Sequence, residues 1–142
     1  MTHEDLSIVL EIECISFPNP WMPSTFEGEI DNTPISNPYV IVYKPVNRII
    51  GYVIYWLLNE NVQISNISIH PDFRRLGVGE EVMHRIRRQI KKEGAKYVLL
   101  EVRPSNTAAW ALYNKLGFQI LGIRQGYYSN PSEDALVMGK NI

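Results

Sequence analysis

The segment between residues 62 and 102 constrains this chain more than any other, because its hydrophobic period changes twice. Residues 62–69, "VQISNISI", are rich in β-branched side chains and read as a strand. Residues 77–93 then place Val78, Val82, Ile86 and Ile90 on one helical stripe, with Glu80 and Glu81 suited to the positive first turn. Gly94 closes that helix in the left-handed conformation. "KYVLLEV", about 96–102, is a short apolar run of the kind buried on both faces of a sheet. Strand, helix and buried strand in this order predict parallel neighbours joined by a right-handed crossover.

The remaining elements arrange themselves around that unit. "DLSIVLEIECISF" carries apolar residues at helical spacing, and Pro23 and Ser24 open a second short helix in "PSTFEGEI". Two strands, about 39–44 and 48–58, are parted by the turn "KPVN" and run antiparallel to each other and to 62–69. Ser105 or Asn106 can cap a helix over about 107–116, which Gly117 ends, and "FQILGIRQGYY" and "DALVMGK" supply two last strands. The order α-α-β-β-β-α-β-α-β-β predicts an α/β three-layer sandwich, a mixed central sheet with helices on both faces. Without a linker or repeat, residues 1–142 read as a single domain, large enough to bury roughly two thirds of its unfolded surface.

Composition excludes more than it selects. A net charge of −1 argues against a dedicated nucleic-acid binder. Cys14 is the only cysteine, so no internal disulfide can form, and it reads as a helix-packing residue. No run of about 18 apolar residues is present, and the acidic start "MTHEDLSIVLEIE" is unlike a signal peptide, so a cytoplasmic protein without a membrane partner is expected. The charge is unevenly placed. Residues 1–43 hold no lysine or arginine, whereas Arg74, Arg75, Arg85, Arg87, Arg88, Lys91, Lys92 and Lys96 crowd one segment. Solvated helix faces explain either cluster alone; together they also suit an anionic ligand near Arg74 and Arg75 and a cationic substrate near the acidic half.

The loop "RRLGVG", Arg74 to Gly79, is neither a P-loop nor a dinucleotide fingerprint, lacking the Lys-Ser/Thr of one and the third glycine of the other. Its two glycines can be turn punctuation. Its place, however, is between a strand and a helix at the carboxyl end of a parallel pair, where open α/β sheets bind ligands. N–H groups around Gly77 and Gly79 could wrap a pyrophosphate there, with Arg74 or Arg75 pairing the remaining charge.

Taken in order, "ISIHPDFRRLGVG", "LLEVRPSNTAAWALYNKLGF" and "GYY" give a chain that resembles the GNAT N-acetyltransferases, and within them the RimI-type group that acetylates protein N-termini. The resemblance runs from about Phe17 to the C-terminus. It implies a GNAT-like sandwich, acetyl-CoA as co-substrate and no metal. By the same resemblance, backbone groups of Ile67, Ser68 and Ile69 bind the acetyl and pantetheine parts. Arg74, Arg75, Leu76, Gly77, Val78 and Gly79 hold the pyrophosphate, and Asn106 touches the cofactor from the next helix start. Glu101 matches the general base and Tyr113 the residue that protonates the departing thiolate. Phe17, Pro18 and Trp21, with Tyr127 and Tyr128, fall where the family's peptide-contacting loops lie. The implied partners are N-terminal segments of protein substrates; a homodimer or a complex subunit stays open. Two departures stand out: the short N-terminal strand common in the family is missing or truncated, and Trp110 replaces a residue that is often smaller.

The chemistry of acetyl transfer suits these residue types. It needs a neutral amine, a stabilised oxyanion and a proton for sulfur. A protein α-amine has a pKa of about 8 and lysine about 10.4, so an α-amine needs the lesser help. A carboxylate in apolar surroundings, as "VLLEV" predicts for Glu101, makes a better base. Tyr113 shares a helical stripe with Ala109, Leu112 and Leu116, so spacing alone would make it a core residue; as a neutral phenol it can also serve as an acid. Free N–H groups at Ile67 or Ile69 would stabilise the oxyanion. His70, before Pro71, reads as a turn residue and His84 as an exposed one. Acetylation of a small amine or a lysine, and acetyl-CoA binding without catalysis, are the alternative readings.

Overall fold

A computed structural model describes residues 1–32 and 34–142. Two helices come first, α1 (Leu6–Ser16) and α2 (Pro23–Asp31), then three strands, β1 (Ser36–Tyr43), β2 (Arg48–Leu58) and β3 (Asn61–Ile69). Helix α3 (Val78–Lys92), strand β4 (Tyr97–Val102), helix α4 (Thr107–Lys115) and strands β5 (Gln119–Tyr128) and β6 (Glu133–Asn141) complete the chain. The order is the predicted one, with β1 beginning three residues earlier than the expected start at about 39. Local chemistry sets the boundaries: Pro23 occupies the first turn of α2, where its missing N–H costs nothing, and Asn47 takes the left-handed conformation (φ 50°) at the β1–β2 turn.

The six strands form one sheet in the order β1-β2-β3-β4-β6-β5, antiparallel throughout except for β3 and β4. Strand β2 shows why helices must cover both faces, since Ile50 to Tyr55 are all buried. Val53 and Tyr55 point into a core with Val82, Met83, Ile86 and Ile90 of α3 and Tyr113 of α4. Tyr52 and Ile54 point the other way, against Val9 and Ile12 of α1 and Phe26 of α2. At about 1.5–3 kcal/mol for each buried side chain, these few anchors are what hold the α1–α2 layer to the sheet.

The parallel pair does not stay paired. β3 and β4 are in register only from Asn61↔Tyr97 to Ile64↔Leu100, while β3 continues along β2 as far as Ile69. On the β2 side, Tyr55 faces Ile64 and Ile54 faces Asn66, so Ser65 is an extra, bulged residue. A bulge bends its strand and sharpens the twist. It falls immediately after the last parallel pair, and from there β3 and β4 part.

Among the described residues no strand precedes α1; instead the α-amino group of Met1 donates to the Pro38 carbonyl at 3.0 Å. Cys14 differs from expectation. It is exposed, as are Ile8 and Ile15, because α1 turns its Val9, Ile12, Glu13 and Ser16 side inward.

Candidate active site

The gap between β3 and β4 organises the site. The N–H of His70 bonds the Ile50 carbonyl on β2 at 2.7 Å, so strand alternation turns the N–H groups of Ile69 and Ile67 away from β2 and towards the gap. Ser68, between them, is buried on the opposite course, its hydroxyl donating to Ser16 of α1 at 2.7 Å. The Ile69 carbonyl accepts from Nε of Arg74 at 2.7 Å, and Nη2 of the same guanidinium donates to Ser16 at 2.8 Å. Arg74 is therefore a strut between the end of β3 and the end of α1. Arg75 is the open cation, exposed and, among the described residues, without a hydrogen bond or ion pair.

The loop turns into α3 through Gly77, whose φ of 78° is the left-handed region that glycine enters at no steric cost. Gly77 has no side chain to cap the helix, and the first helical bond runs from Glu81 N–H to its carbonyl at 3.1 Å. The N–H groups of Val78, Gly79 and Glu80 are left for an anion outside the helix. Gly79 has a different reason to be small. A Cβ there would meet Leu112 of α4 at 3.2 Å, so the start of α3 packs closely against the middle of α4. Leu76, at the loop tip, is 69% exposed. Asn106 caps α4, its Oδ1 accepting from Ala109 N–H at 3.2 Å, which leaves its amide NH₂ as the group free to face a ligand.

Across the gap stands Glu101 on β4. The apolar surroundings expected from its sequence are absent, because Leu100 and Val102 take the α3 face and Glu101 takes the other. There its Oε2 accepts from the Gln63 amide at 2.6 Å and its Oε1 from Nη1 of Arg124 at 3.1 Å. Tyr113 lies on the α3–α4 face, buried and packed against the Phe118 ring at 5.7 Å. Burial pushes its phenol up to about 12. Among the described residues nothing hydrogen-bonds its hydroxyl, yet no sealed side-chain polar atom goes unpartnered, so that hydroxyl opens onto accessible space. Glu101 and Tyr113 thus occupy opposite faces of the sheet at the place where it opens.

The segments expected to contact the acceptor come together from distant parts of the chain. Asn19, within the 17–21 stretch, donates to the Ser129 hydroxyl at 3.2 Å, which brings that stretch to the β5–β6 turn. Phe17 closes α1 with its N–H on the Glu13 carbonyl, Pro18 is exposed, and Trp21 packs on Phe26 at 5.2 Å between ring centres. Tyr127 and Tyr128 meet edge to face at 4.9 Å, with Arg124 over the first ring and Arg103 over the second. Burial raises both phenols, and the charge of Glu101 raises both further. The Arg124 guanidinium that lies over Tyr127 also pairs with Glu101, which brings Glu101, Tyr127 and Tyr128 into one neighbourhood. Under this site Glu13, 1% exposed and raised by desolvation, accepts from Tyr52 at 2.9 Å and Asn66 at 3.0 Å.

Residues 6–118 match the acetyltransferase (GNAT) family. The chain belongs to that family. The match begins well ahead of Phe17, so α1 is a shared GNAT element. A curated Bacillus subtilis (strain 168) relative, provisionally named as a ribosomal protein bS18-alanine N-acetyltransferase, is 38% identical over 144 residues, covering 100% of this chain and 93% of the relative. The crystal structure of the ribosomal-protein-S18-alanine N-acetyltransferase from Escherichia coli superposes with a TM-score of 0.89 at 28% identity, over 100% of this chain and 90% of that one. A GNAT acetyltransferase from Elizabethkingia anophelis, solved with acetyl-CoA bound, shares the fold at a TM-score of 0.77 and 19% identity, over 93% and 89% of the two chains. This GNAT chain is an acyltransferase. Among its described residues no group of three His, Cys, Asp or Glu side chains is placed to hold a metal, and no helix is long and apolar enough to cross a membrane.

Sequence reasoning missed Gln63, Arg124 and Ser16. Arg124 sat in the quoted "IRQGYY" without a role; Gln63 and Ser16 carry no local signal, since only the fold brings them to Glu101 and Arg74.

Proposed function

We propose that this GNAT chain, acting in the cytoplasm as one catalytic domain, acetylates the N-terminal α-amine of a protein in a ternary complex, at the gap between β3 and β4. The carrying observation is the pairing register: β3 and β4 part after Ile64↔Leu100, with Glu101 on one face of the opening and Tyr113 on the other. Acetyl-CoA supplies the activated thioester. The N–H groups of Val78, Gly79 and Glu80 and the open cation of Arg75 suit its pyrophosphate, and the N–H groups of Ile67 and Ile69 suit its acyl oxygen as that atom gains charge. Asn106 offers its free amide NH₂ to the same ligand.

Glu101 takes the proton from the acceptor's ammonium group, directly or through one water, and frees the lone pair that attacks the acyl carbon. A C–N bond forms as the C–S bond breaks, and Tyr113 gives its proton to the leaving sulfur. Desolvation holds Tyr113 neutral and disfavours a bare thiolate in the same place, so the proton transfer stays matched. Phe17, Pro18, Trp21, Tyr127 and Tyr128 grip the first residues of the acceptor, favouring small side chains. The relatives named above direct the choice to an N-terminal alanine of a small-subunit ribosomal protein. Mass spectrometry of a peptide library varied at its first two residues tests this: alanine-initiated peptides should dominate the acetylated pool, and acetylation independent of the first residue would contradict it.

A further inference from the structure

Both oxygens of Glu101 are occupied before any acceptor arrives. Gln63 holds Oε2 from within the sheet, and Arg124 holds Oε1 from the solvent side, its own side chain 56% exposed. Arg124 lies on β5 and reaches across β6, passing Gly122, which lines up with Val137 and Glu101. Its guanidinium also lies over the Tyr127 ring at 4.6 Å. One exposed cation therefore covers the outward oxygen of the proposed base and the face of a proposed acceptor-gripping residue.

We propose that Arg124 is a positioning residue that stands in for the acceptor's ammonium group, holding Glu101 in the empty cleft and, once displaced, driving the proton off the acceptor. This rests on the reading of Glu101 given above. An ion pair with so exposed a partner is weak enough to exchange. At neutral pH an α-amine with a pKa of about 8 arrives mostly charged, and Glu101 alone would bind it well and keep it charged. The displaced guanidinium stays near, because the Tyr127 ring still holds it. A second cation beside the first is disfavoured, so the acceptor's ammonium gives up its proton, which passes by way of Glu101 to solvent and leaves the carboxylate charged beside the guanidinium.

Among the described residues no other group in the neighbourhood substitutes for it. Tyr127 and Tyr128 on β5 stay neutral, their phenols raised by burial, and Arg103 at the end of β4 is held by Glu133 of β6. From α2, Glu29 accepts from Ser36 and Trp56, and from α1, Glu13 accepts from Tyr52 and Asn66.

Arg124→Gln should therefore lower the acceptor KM about threefold to tenfold, lower kcat about tenfold, and move the pH midpoint of kcat up by about one unit. Arg124→Lys keeps the charge and should restore most of all three. A residue that merely supports the fold would not move the midpoint or tighten the acceptor. In a Glu101→Gln background, Arg124→Gln should add nothing further to the loss of kcat. If Glu101→Gln is impaired while Arg124→Gln keeps wild-type KM, kcat and midpoint, this inference falls and the role of Glu101 stands. If Glu101→Gln itself is unimpaired, both fall.

Discussion

Tyr113→Phe separates the proposed acid role of this residue from its packing role. The change deletes one oxygen and leaves the ring, which is 6% exposed and packed on Phe118 at 5.7 Å. Since no described residue hydrogen-bonds the hydroxyl, stability should change by less than about 0.5 kcal/mol. Loss of a general acid costs about 10²-fold or more, which at about 1.4 kcal/mol per decade is roughly 2.8 kcal/mol of transition-state stabilisation. Activity should thus collapse while melting temperature and acetyl-CoA affinity stay put. Burial raises the Tyr113 phenol to about 12, so it remains protonated and neutral throughout the working range and contributes no alkaline limb below that. Its share of stability is full below the ordinary tyrosine pKa of about 10 and is lost as pH rises through about 12, a loss the phenylalanine variant escapes. The assay is single-turnover acetylation followed by mass spectrometry of the peptide. A thiol reagent would also report the exposed Cys14. An unchanged single-turnover rate would refute the reasoning and return Tyr113 to a packing role.

Gly77→Ala meets no neighbour within 4 Å but forces an L side chain into φ 78°, so it should destabilise by roughly 1–2 kcal/mol and weaken acetyl-CoA in calorimetry; wild-type values for both would dissociate the loop from the anion. Glu101→Gln should lower kcat and alter the acidic limb of its pH profile, with partial recovery at high pH where the amine loses its proton unaided; equal rates at every pH would remove the carboxylate from the mechanism. Glu13 is raised by burial, so its share of stability is full below the ordinary carboxylate value of 4.5 and is lost as pH climbs through the raised one. Denaturant titrations should show that Glu13→Gln loses this part of the pH slope, and an unchanged slope would count against the burial argument.

Period carried the sequence far. The strands and helices differ in hydrophobic spacing, and the glycines and Asn106 mark the ends, so order and layering were legible. What stayed hidden depends on single residues acting at a distance. The Ser65 bulge looks like ordinary alternation, yet it flips Asn66 and Ser68 towards α1 and opens the gap. That flip also explains Cys14. The side of α1 facing the opened strand is partly polar, Glu13 and Ser16 docking on Asn66 and Ser68, so an apolar stripe points to the wrong side of the helix. The surroundings of Glu101 were misread for a related reason: a six-residue strand shows which residues alternate, whereas its ion pair comes from β5, beyond β6.

The central claim is that the acceptor is a protein α-amine. Its most direct measurement compares initial rates on two matched peptides with acetyl-CoA present. One begins with a free alanine, and the other has a blocked N-terminus and an internal lysine. The lower pKa of an α-amine, by about two units, gives it roughly a hundredfold more neutral nucleophile at pH 7. The free N-terminus should therefore be acetylated at least that much faster, with the modification mapped to residue one. Equal or faster acetylation of the blocked lysine peptide, or of spermidine, would contradict the account.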